Sequence, residues 1–175
     1  VDTVSERMLY ELLMNAEVPM VVDADALNIL SNNIELLRTS SVQIIMTPHM
    51  KEMSRLIQRP VEEIAKNRFA IAREFAKKMQ VTLVLKDAKS IATNGGQQTY
   101  MNLAGNNGMS TGGSGDVLAG IIAGMLAGGL TLADAARMGT YVHCRAGDLA
   151  AEHKGNYAML ASDIISYIGE VMRHE

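Results

Sequence analysis

The chain has 175 residues, of which 48% are apolar and 20% charged, and we predict one globular domain over residues 1–175. A net charge of −3 excludes a protein drawn as a whole to nucleic acid or to an anionic membrane, so any anion binding must come from a local site. The single cysteine, Cys144, excludes a disulfide within the chain, and a reducing cytoplasm is the simplest setting.

The first predicted element is a helix over Val1–Ala16, which opens with polar residues and has no strand before it. An α/β unit normally begins with a strand. We therefore expect the chain to be a fragment that lacks its N-terminal part.

Strand-like and helical segments then alternate along the chain. Short apolar runs predict buried strands at Pro19–Val22, Val42–Met46 and Val81–Leu85. Apolar residues at helical spacing predict a helix through Val61–Met79. Pro60 lies where the first residue of this helix would be. Two runs that flank an Asn-Gly-Gly turn predict a hairpin, and they are Ser90–Thr93 and Thr99–Asn102.

The C-terminal third of the chain predicts three further helices. Val117–Leu130 contains only apolar residues and glycine, but it is shorter than the ~18 residues of a membrane span, so we predict a buried helix. Thr131 and Asp134 resemble a cap for a helix that runs through Ala151. A last helix is predicted over Asp163–Met172, capped by Ser162.

This alternation predicts an α/β fold, with a mostly parallel central sheet covered by helices on both faces. In such sheets ligands bind at the carboxyl ends of the strands. The polar residues that follow the predicted strands are Asp23, Asp25 and Asn28, then Thr47, His49 and Glu52, and finally Lys86. Each has an alternative interpretation as a helix cap or turn residue, because helix starts favour the same residue types.

The most informative stretch is the glycine-rich segment Gly105–Gly120 (GNNGMSTGGSGDVLAG). Glycine allows backbone turns that other residues cannot adopt and lets a ligand approach the main chain closely. Successive N–H groups in such a turn form a concave anion site, and the following helix points its positive N-terminus at the same place. The segment therefore predicts a phosphate site.

Asp116 lies inside this segment, where a carboxylate would repel a phosphate. A catalyst has a use for it, because a carboxylate can accept the proton of a hydroxyl that attacks a terminal phosphate. The alternative is a plain helix cap. No Gly-Lys-Ser/Thr follows, so the segment is not a Walker loop. It also lies too late in the chain for the first-strand dinucleotide fingerprint.

Thr111–Val117 (TGGSGDV) resembles the signature of the ribokinase-like superfamily, whose glycine turn forms an anion hole. Four segments resemble the NAD(P)H-hydrate dehydratases in order and spacing, and they are Val21–Leu30 (VVDADALNIL), Thr47–Ile57 (TPHMKEMSRLI), Val84–Ser90 (VLKDAKS) and Asn102–Gly129. The resemblance covers nearly the whole chain. It implies a ribokinase-like three-layer α/β/α sandwich from which the N-terminal part is missing.

The resemblance also implies a reaction. In that family ADP or ATP phosphorylates the ring hydroxyl of the S-epimer of hydrated NADH or NADPH, and phosphate leaves as the double bond re-forms. The implied cofactor is Mg²⁺, the partners are NADHX or NADPHX and the nucleotide, and the implied assembly is a homo-oligomer, a tetramer. Neither nucleic acid nor a membrane is an expected partner, and the expected location is the cytoplasm.

Carried over by position, the resemblance assigns roles to individual residues. The implied catalytic base is Asp116, and the implied substrate contacts are His49, Asn106 and Asp116. The implied anion hole is formed by the backbone of Gly113, Ser114 and Gly115. The implied nucleotide-binding residues are Lys86, Asp87, Ala88, Lys89, Ser90 and Gly115. Glu52 corresponds to an acidic position that reaches magnesium through water, which suits an ion that keeps part of its water shell. Asp23, Asp25 and Asn28 are candidates to support that metal site.

The chain departs from the family pattern at several positions. Met50 and Lys51 replace the usual Pro-Gly after His49. Asp87 replaces the glycine after Lys86, which places an acid where the nucleotide approaches and bears on nucleotide preference.

Two alternative functions stay open from the sequence. A small-molecule kinase of the same superfamily, such as a hydroxyethylthiazole kinase, would share Asp116 but release a stable phosphorylated product. A non-catalytic nucleotide-binding fragment is the second alternative. The Thr47-Pro48-His49 segment and the Gly105-Asn106 pair favour the dehydratase.

Overall fold

The computed structural model describes residues 3–173. Its helices are α1 (Thr3–Asn15), α2 (Asp25–Asn32), α3 (Leu36–Thr39), α4 (Met50–Ile57), α5 (Val61–Met79), α6 (Ser114–Ala127), α7 (Leu132–Lys154) and α8 (Ala161–Val171). Its strands are β1 (Met20–Val22), β2 (Ile44–Met46), β3 (Thr82–Leu85), β4 (Ile91–Thr93) and β5 (Thr99–Met101). A single 3-10 turn covers Asn107–Met109 in this range.

The strands form one sheet in the order β1-β2-β3-β4-β5. The pairs β1–β2 and β2–β3 are parallel, whereas β3–β4 and β4–β5 are antiparallel. Four of the five strands therefore point in one direction, and only β4 is reversed. Both the mostly parallel sheet and the β4–β5 hairpin confirm the sequence predictions.

Alternating strand residues divide the core between the two faces of the sheet. One face buries Ile44, Met46, Leu83 and Leu85 against apolar residues of α1 to α5. The opposite face buries Ile45, Val84 and Ala92 against Leu118 and Ile122 of α6 and against Ala135 and Ala136 of α7. Because side chains of a strand point alternately to either face, these largely apolar strands require helices on both sides. The predicted three-layer sandwich is confirmed.

Helix α8 packs on α6 and α7. Its contact is built by a third cluster of buried residues, which are Val142 and Ala146 of α7 and Ile164 and Val171 of α8. This layer lies outside the one that covers the sheet, so α7 is buried from both sides over much of its length.

The helix predicted over Val117–Leu130 is present, but the prediction that it is buried is wrong for one of its sides. The helix α6 runs over Ser114–Ala127, and its buried residues are Ser114, Leu118 and Ile122. Its other side lines an open groove of about 710 Å³ beside α8, together with Ile165 and Ile168. The sequence could not distinguish the two sides, because every residue from 117 to 130 is apolar or glycine. None of the helices described within residues 3–173 is long and apolar enough to cross a membrane.

Several helix ends differ from the predictions. Helix α8 begins at Ala161 after Leu160, whose N–H donates to Asp163 Oδ2 at 2.9 Å, so the predicted capping role of Ser162 is wrong. The cap at Thr131 is confirmed, since its Oγ1 accepts the N–H of Asp134 at 3.2 Å.

Two other helix ends move by a few residues. Helix α7 continues to Lys154 beyond the predicted Ala151, and Pro60 lies one residue before α5. Val1 and Asp2 of the first predicted helix lie outside the described residues.

The close approach of α6 and α7 gives a stability prediction. A Cβ added at Gly139 of α7 would lie 2.6 Å from Cγ1 and 3.3 Å from Cα of Ile122, which cannot move away without shifting α6. We expect Gly139→Ala to lower the free energy of unfolding by about 1–3 kcal/mol, since overpacking a tight contact costs that much. Gly124 of α6 is the matched control, because a Cβ there meets nothing within 4 Å.

For Gly124→Ala we expect the free energy of unfolding to rise by up to about 1 kcal/mol, because alanine has the higher helix propensity. Urea denaturation of both variants gives the answer. An equal effect of the two substitutions would contradict the close packing of α6 on α7.

Candidate active site

The carboxyl ends of β1, β2 and β3 bring the site together. Asp23 follows β1, Thr47 to His49 follow β2, and Lys86 follows β3. Pairing continues past the strand ends, because Thr47 N–H donates to Val22 O at 3.1 Å and Lys86 N–H donates to Pro48 O at 2.8 Å. The parallel register therefore places these polar residues side by side.

Lys86 is held between two carboxylates. Its Nζ donates to Asp23 Oδ1 at 2.7 Å and lies 4.0 Å from Glu52 Oε2. The three side chains are only 19%, 13% and 7% exposed, in the order Lys86, Asp23 and Glu52. Removing one partner of such a pair leaves an uncompensated, poorly solvated charge, so the cluster fixes the position of the ammonium group.

Glu52 and His49 form a reciprocal cap at the start of α4. Glu52 N–H donates to His49 Nδ1 at 3.0 Å, and His49 N–H donates to Glu52 Oε2 at 2.8 Å. His49 Nε2 lies 3.4 Å from Glu52 Oε1, and the His49 side chain is 48% exposed. The carboxylate of Glu52 is therefore buried beneath an imidazole that faces the cavity described below.

Asp25 and Asn28 are not brought to Lys86. Asp25 is exposed in the first turn of α2, and Asn28 Oδ1 accepts a hydrogen bond from Arg55 Nη1 at 2.8 Å. Between them and the site, Ala24 has a φ of 52°, a value that residues with a Cβ rarely adopt. That unusual turn directly follows Asp23, the residue of this segment that does reach Lys86.

The first turn of α6 lies against the Lys86–Asp23 pair. Gly113 precedes the helix with a φ of 86°, in the left-handed region that favours glycine. A Cβ added at Gly115 would lie 3.5 Å from Lys86 Nζ and 3.6 Å from Asp23 Oδ2. The unpaired N–H groups of a helix N-terminus and a fixed ammonium group thus meet in one place, and this combination binds anions.

The loop that contains Gly105 and Asn106 is tied to α7. Gly105 N–H donates to Asp148 Oδ2 at 3.0 Å, and Asn106 Nδ2 donates to Gly147 O at 3.0 Å and to Asp148 Oδ1 at 3.1 Å. Asn106 Oδ1 accepts the N–H of Gly108 at 3.0 Å. The amide of Asn106 is therefore used to hold the loop, and Asp148 is a residue that the sequence analysis did not find.

A cavity of about 780 Å³ opens between this loop, the end of β3 and the first turn of α6. The predicted site residues that line it are His49, Lys86, Asp87, Ala88, Ser90, Asn106, Ser114 and Gly115. Among the other residues to which the resemblance assigns a direct role, Glu52, Lys89, Gly113 and Asp116 do not line it, and neither do the metal-site candidates Asp23, Asp25 and Asn28. Asp116 lies at the end of the neighbouring apolar groove instead, where it is exposed. The first turn of α6 therefore separates two cavities.

The acid at position 87 has a partner from another helix. Arg68 Nη1 of α5 lies 2.5 Å from Asp87 Oδ2, and both side chains are about a quarter to a third exposed, at 26% and 32%. Ser90 Oγ donates to Asp87 O at 3.2 Å and closes the loop after β3. The pairing with Arg68 reduces the negative charge that Asp87 presents to the cavity.

His143 and Cys144 of α7 also line the cavity, and the sequence analysis found neither. His143 Nε2 and Ser114 Oγ are hydrogen-bonded at 3.3 Å, and both residues are buried. Burial lowers the pKa of His143 from 6.5 to about 4, and the charge of Lys86 acts in the same direction against a backbone hydrogen bond to Ser114. Burial raises the pKa of the Cys144 thiol to about 12, so it stays uncharged.

The lowered pKa of His143 predicts a pH-dependent stability. Below pH 6.5 the His143 imidazole is protonated in the unfolded chain, whereas in the folded protein it stays neutral down to about pH 4. The free energy of unfolding therefore falls as the pH drops through this window. At about pH 5 the loss from this residue is about 2 kcal/mol relative to neutral pH. His143→Gln cannot be protonated, so the difference in free energy of unfolding between the protein and this variant should shrink by that amount from neutral pH to about pH 5.

Urea denaturation at both pH values measures the difference. His153→Gln, which removes an exposed histidine from the same helix, is the matched control. Parallel pH profiles of the protein and its His143→Gln variant would contradict the buried, neutral imidazole.

The chain is similar to known proteins over nearly its whole length. The family model for NAD(P)H-hydrate dehydratase matches residues 2–170. The chain is 41% identical over 173 residues to the bifunctional NAD(P)H-hydrate repair enzyme of Moorella thermoacetica, covering 99% of this chain and 33% of that protein. It is 38% identical to the ADP-dependent (S)-NAD(P)H-hydrate dehydratase of Neisseria meningitidis, covering 87% of this chain and 53% of that protein. The chain thus spans about a third to a half of these relatives.

Solved structures share the fold. An ADP/ATP-dependent NAD(P)H-hydrate dehydratase from Bacillus subtilis, co-crystallised with ATP and Mg²⁺, matches with a TM-score of 0.81 and 26% identity, over 93% of this chain and 58% of that one. A ribokinase-like superfamily protein from Enterococcus faecalis matches with a TM-score of 0.81 and 28% identity, over 99% of this chain and 60% of that one. The ribokinase-like fold is confirmed, and the chain belongs to the NAD(P)H-hydrate dehydratase family.

Proposed function

We propose that the intact protein dehydrates the S-epimer of hydrated NADH or NADPH back to the reduced dinucleotide, with ADP or ATP as co-substrate. The observation that carries the proposal is the first turn of α6, which joins three features of a phosphoryl-transfer site. Its backbone faces a cavity of about 780 Å³, its Gly115 adjoins Lys86 Nζ, and it contains the exposed carboxylate of Asp116. The names of the relatives in Neisseria meningitidis and Bacillus subtilis support this reaction.

The phosphate groups of the nucleotide fit beside Lys86. The Gly115 backbone and the Lys86 ammonium group provide donors from two elements of the fold, whereas Ser114 N–H already donates to Thr111 O at 3.3 Å. Asp87, Ala88 and Ser90 line the same cavity on the side of the β3 loop, where the rest of the nucleotide fits. Lys89 is exposed and does not line the cavity, so we assign it no direct contact.

Asp116 is suited to the proton transfer. Its carboxylate lies in the same helical turn as the anion-binding backbone and is exposed where that turn borders the apolar groove. A hydroxyl that reaches this turn can give its proton to Asp116 as its oxygen bonds to the terminal phosphorus, while the bond from that phosphorus to the bridging oxygen breaks and the rest of the nucleotide leaves. Phosphate then leaves with the electrons of the carbon–oxygen bond, the neighbouring ring carbon loses a proton to water, and the electrons of that carbon–hydrogen bond form the ring double bond.

His49 and Asn106 serve the substrate in different ways under this proposal. The imidazole of His49 lines the nucleotide cavity and is half exposed, so it is free to contact a ligand. Both donor positions of the Asn106 amide are used by Gly147 and Asp148. Asn106 therefore acts by holding the shape of the loop. Any direct contact of its amide with the substrate would have to be a hydrogen bond that Asn106 Oδ1 accepts.

Charge balance supports a divalent cation at this site. Lys86, Asp23 and Glu52 together carry one formal negative charge, which is unfavourable for a nucleotide phosphate. Within residues 3–173 no three His, Cys, Asp or Glu side chains come together as a metal-binding set. The donor set therefore fits Mg²⁺ that arrives with the nucleotide, and Asp23 and Glu52 are the residues that would hold it through water. Bound there, Mg²⁺ would neutralise charge on the phosphates.

The proposal predicts the effect of Asp116→Asn. Hydrated NADH is incubated with the intact protein, magnesium and either ADP or ATP, while the absorbance of reduced nicotinamide is followed. We expect recovery of NADH that requires the nucleotide and that falls about 10²–10⁴-fold in the variant, the usual contribution of a general base. Glu152→Gln, an exposed acid on α7, is the matched control and should retain full activity.

Product analysis in the same assay separates the proposal from a kinase. Release of inorganic phosphate in step with NADH supports the dehydratase. A stable phosphomonoester with no recovery of NADH would show a small-molecule kinase of the same superfamily, and full activity of Asp116→Asn would remove Asp116 from the reaction.

A further inference from the structure

His143 is a buried imidazole that the reaction proposed above does not use. It lies on α7, is 6% exposed, and faces the cavity between the β3 loop and the first turn of α6. Its Nε2 is 3.3 Å from Ser114 Oγ, and Ser114 is itself 8% exposed. A buried polar ring costs free energy unless it is hydrogen-bonded, so this contact holds both side chains in place.

The first turn of α6 has few other side-chain attachments. The residue before the helix is Gly113, which has no side chain to cap the helix N-terminus. Ser114 N–H reaches Thr111 O at 3.3 Å, a bond within the same glycine-rich segment. Among the hydrogen bonds described for residues 3–173, only the one between Ser114 and His143 joins the first residue of α6 to the neighbouring helix α7.

The chemistry of His143 suits this place. Its imidazole is neutral at physiological pH because of its burial. A neutral ring adds no positive charge that would draw a phosphate away from Lys86, and it can hold a hydroxyl through a ring nitrogen of either tautomer. Lys86 and Ser114, the two groups that influence His143 most directly, belong to the proposed phosphate site.

We propose that His143 is a positioning residue for phosphate binding, which fixes Ser114 and with it the first turn of α6, in the place where the backbone of that turn meets the phosphate beside Lys86. The inference rests on the proposed function only to the extent that phosphate is the ligand of this turn. His143 acts through Ser114 and has no assigned contact with the reacting atoms.

The test uses the intact protein and four variants. His143→Leu removes the polar ring, and His143→Gln restores an amide at about the reach of Nε2. Ser114→Ala removes the other partner, and the double variant His143→Leu with Ser114→Ala completes a thermodynamic cycle. Leu149→Ala is the structural control, because Leu149 packs in the core cluster among α6, α7 and α8 and does not line the cavity.

Isothermal titration of each variant with ADP and with adenosine separates phosphate binding from the rest of the nucleotide. We expect His143→Leu to raise the Kd for ADP by about tenfold and to change the Kd for adenosine by less than about twofold, the size of one lost hydrogen bond. His143→Gln should recover most of the ADP affinity. Because one contact is removed in both cases, the double variant should bind ADP about as well as the weaker single variant.

Different failures have different meanings. Equal losses for ADP and adenosine, a similar loss in Leu149→Ala, or additive effects of the two single substitutions would each overturn the positioning role. If the unmodified protein binds ADP no more tightly than adenosine, phosphate is not the ligand of this turn, and both the proposed function and this inference fall. Tight ADP binding that His143→Leu leaves unchanged overturns the inference alone.

Discussion

The ion pair of Lys86 with Asp23 is the contact on which the arrangement of the site depends. It joins the carboxyl ends of β1 and β3 through a 2.7 Å hydrogen bond, in a place where both side chains are mostly buried. The first turn of α6 then lies directly on this pair, because Gly115 leaves no side chain between the helix and the ammonium group. Strand register, a lysine position and a glycine position together place a cation at a helix N-terminus.

The charges around Lys86 support the proposed binding of Mg²⁺ together with the nucleotide. Glu52 adds a second carboxylate near Lys86, and its burial under the α4 cap prevents it from turning out to solvent. The helix N-terminus offsets only part of this negative charge, since its effect corresponds to about half an elementary charge. Under the proposed function, a nucleotide that carries its own Mg²⁺ would bring the missing positive charge, whereas a phosphate without a cation would not.

Much of the fold and part of the site follow from the sequence. Short apolar runs predicted β1 to β3, because strands buried on both faces need no polar alternation. The glycine segment predicted a tight turn before α6, since the φ of 86° at Gly113 lies in the region that favours glycine.

The rest depends on contacts distant in the chain. His143 reaches Ser114 across 29 residues and Asp148 reaches Gly105 across 43, and neither spacing has a local pattern. The uniform apolar composition of α6 hid its exposed side, and the acid at position 87 gave no sign that Arg68 of α5 would pair with it.

The most direct test of the central claim is a titration of the intact, isotopically labelled protein with ADP and magnesium, followed through the backbone amide signals by NMR. The account predicts that the amides of Ser114 and Gly115 shift most strongly, that adenosine fails to shift them, and that Lys86→Met greatly weakens the response. Shifts concentrated away from residues 113–116, with those amides unaffected by ADP at saturation, would contradict a phosphate site at the first turn of α6.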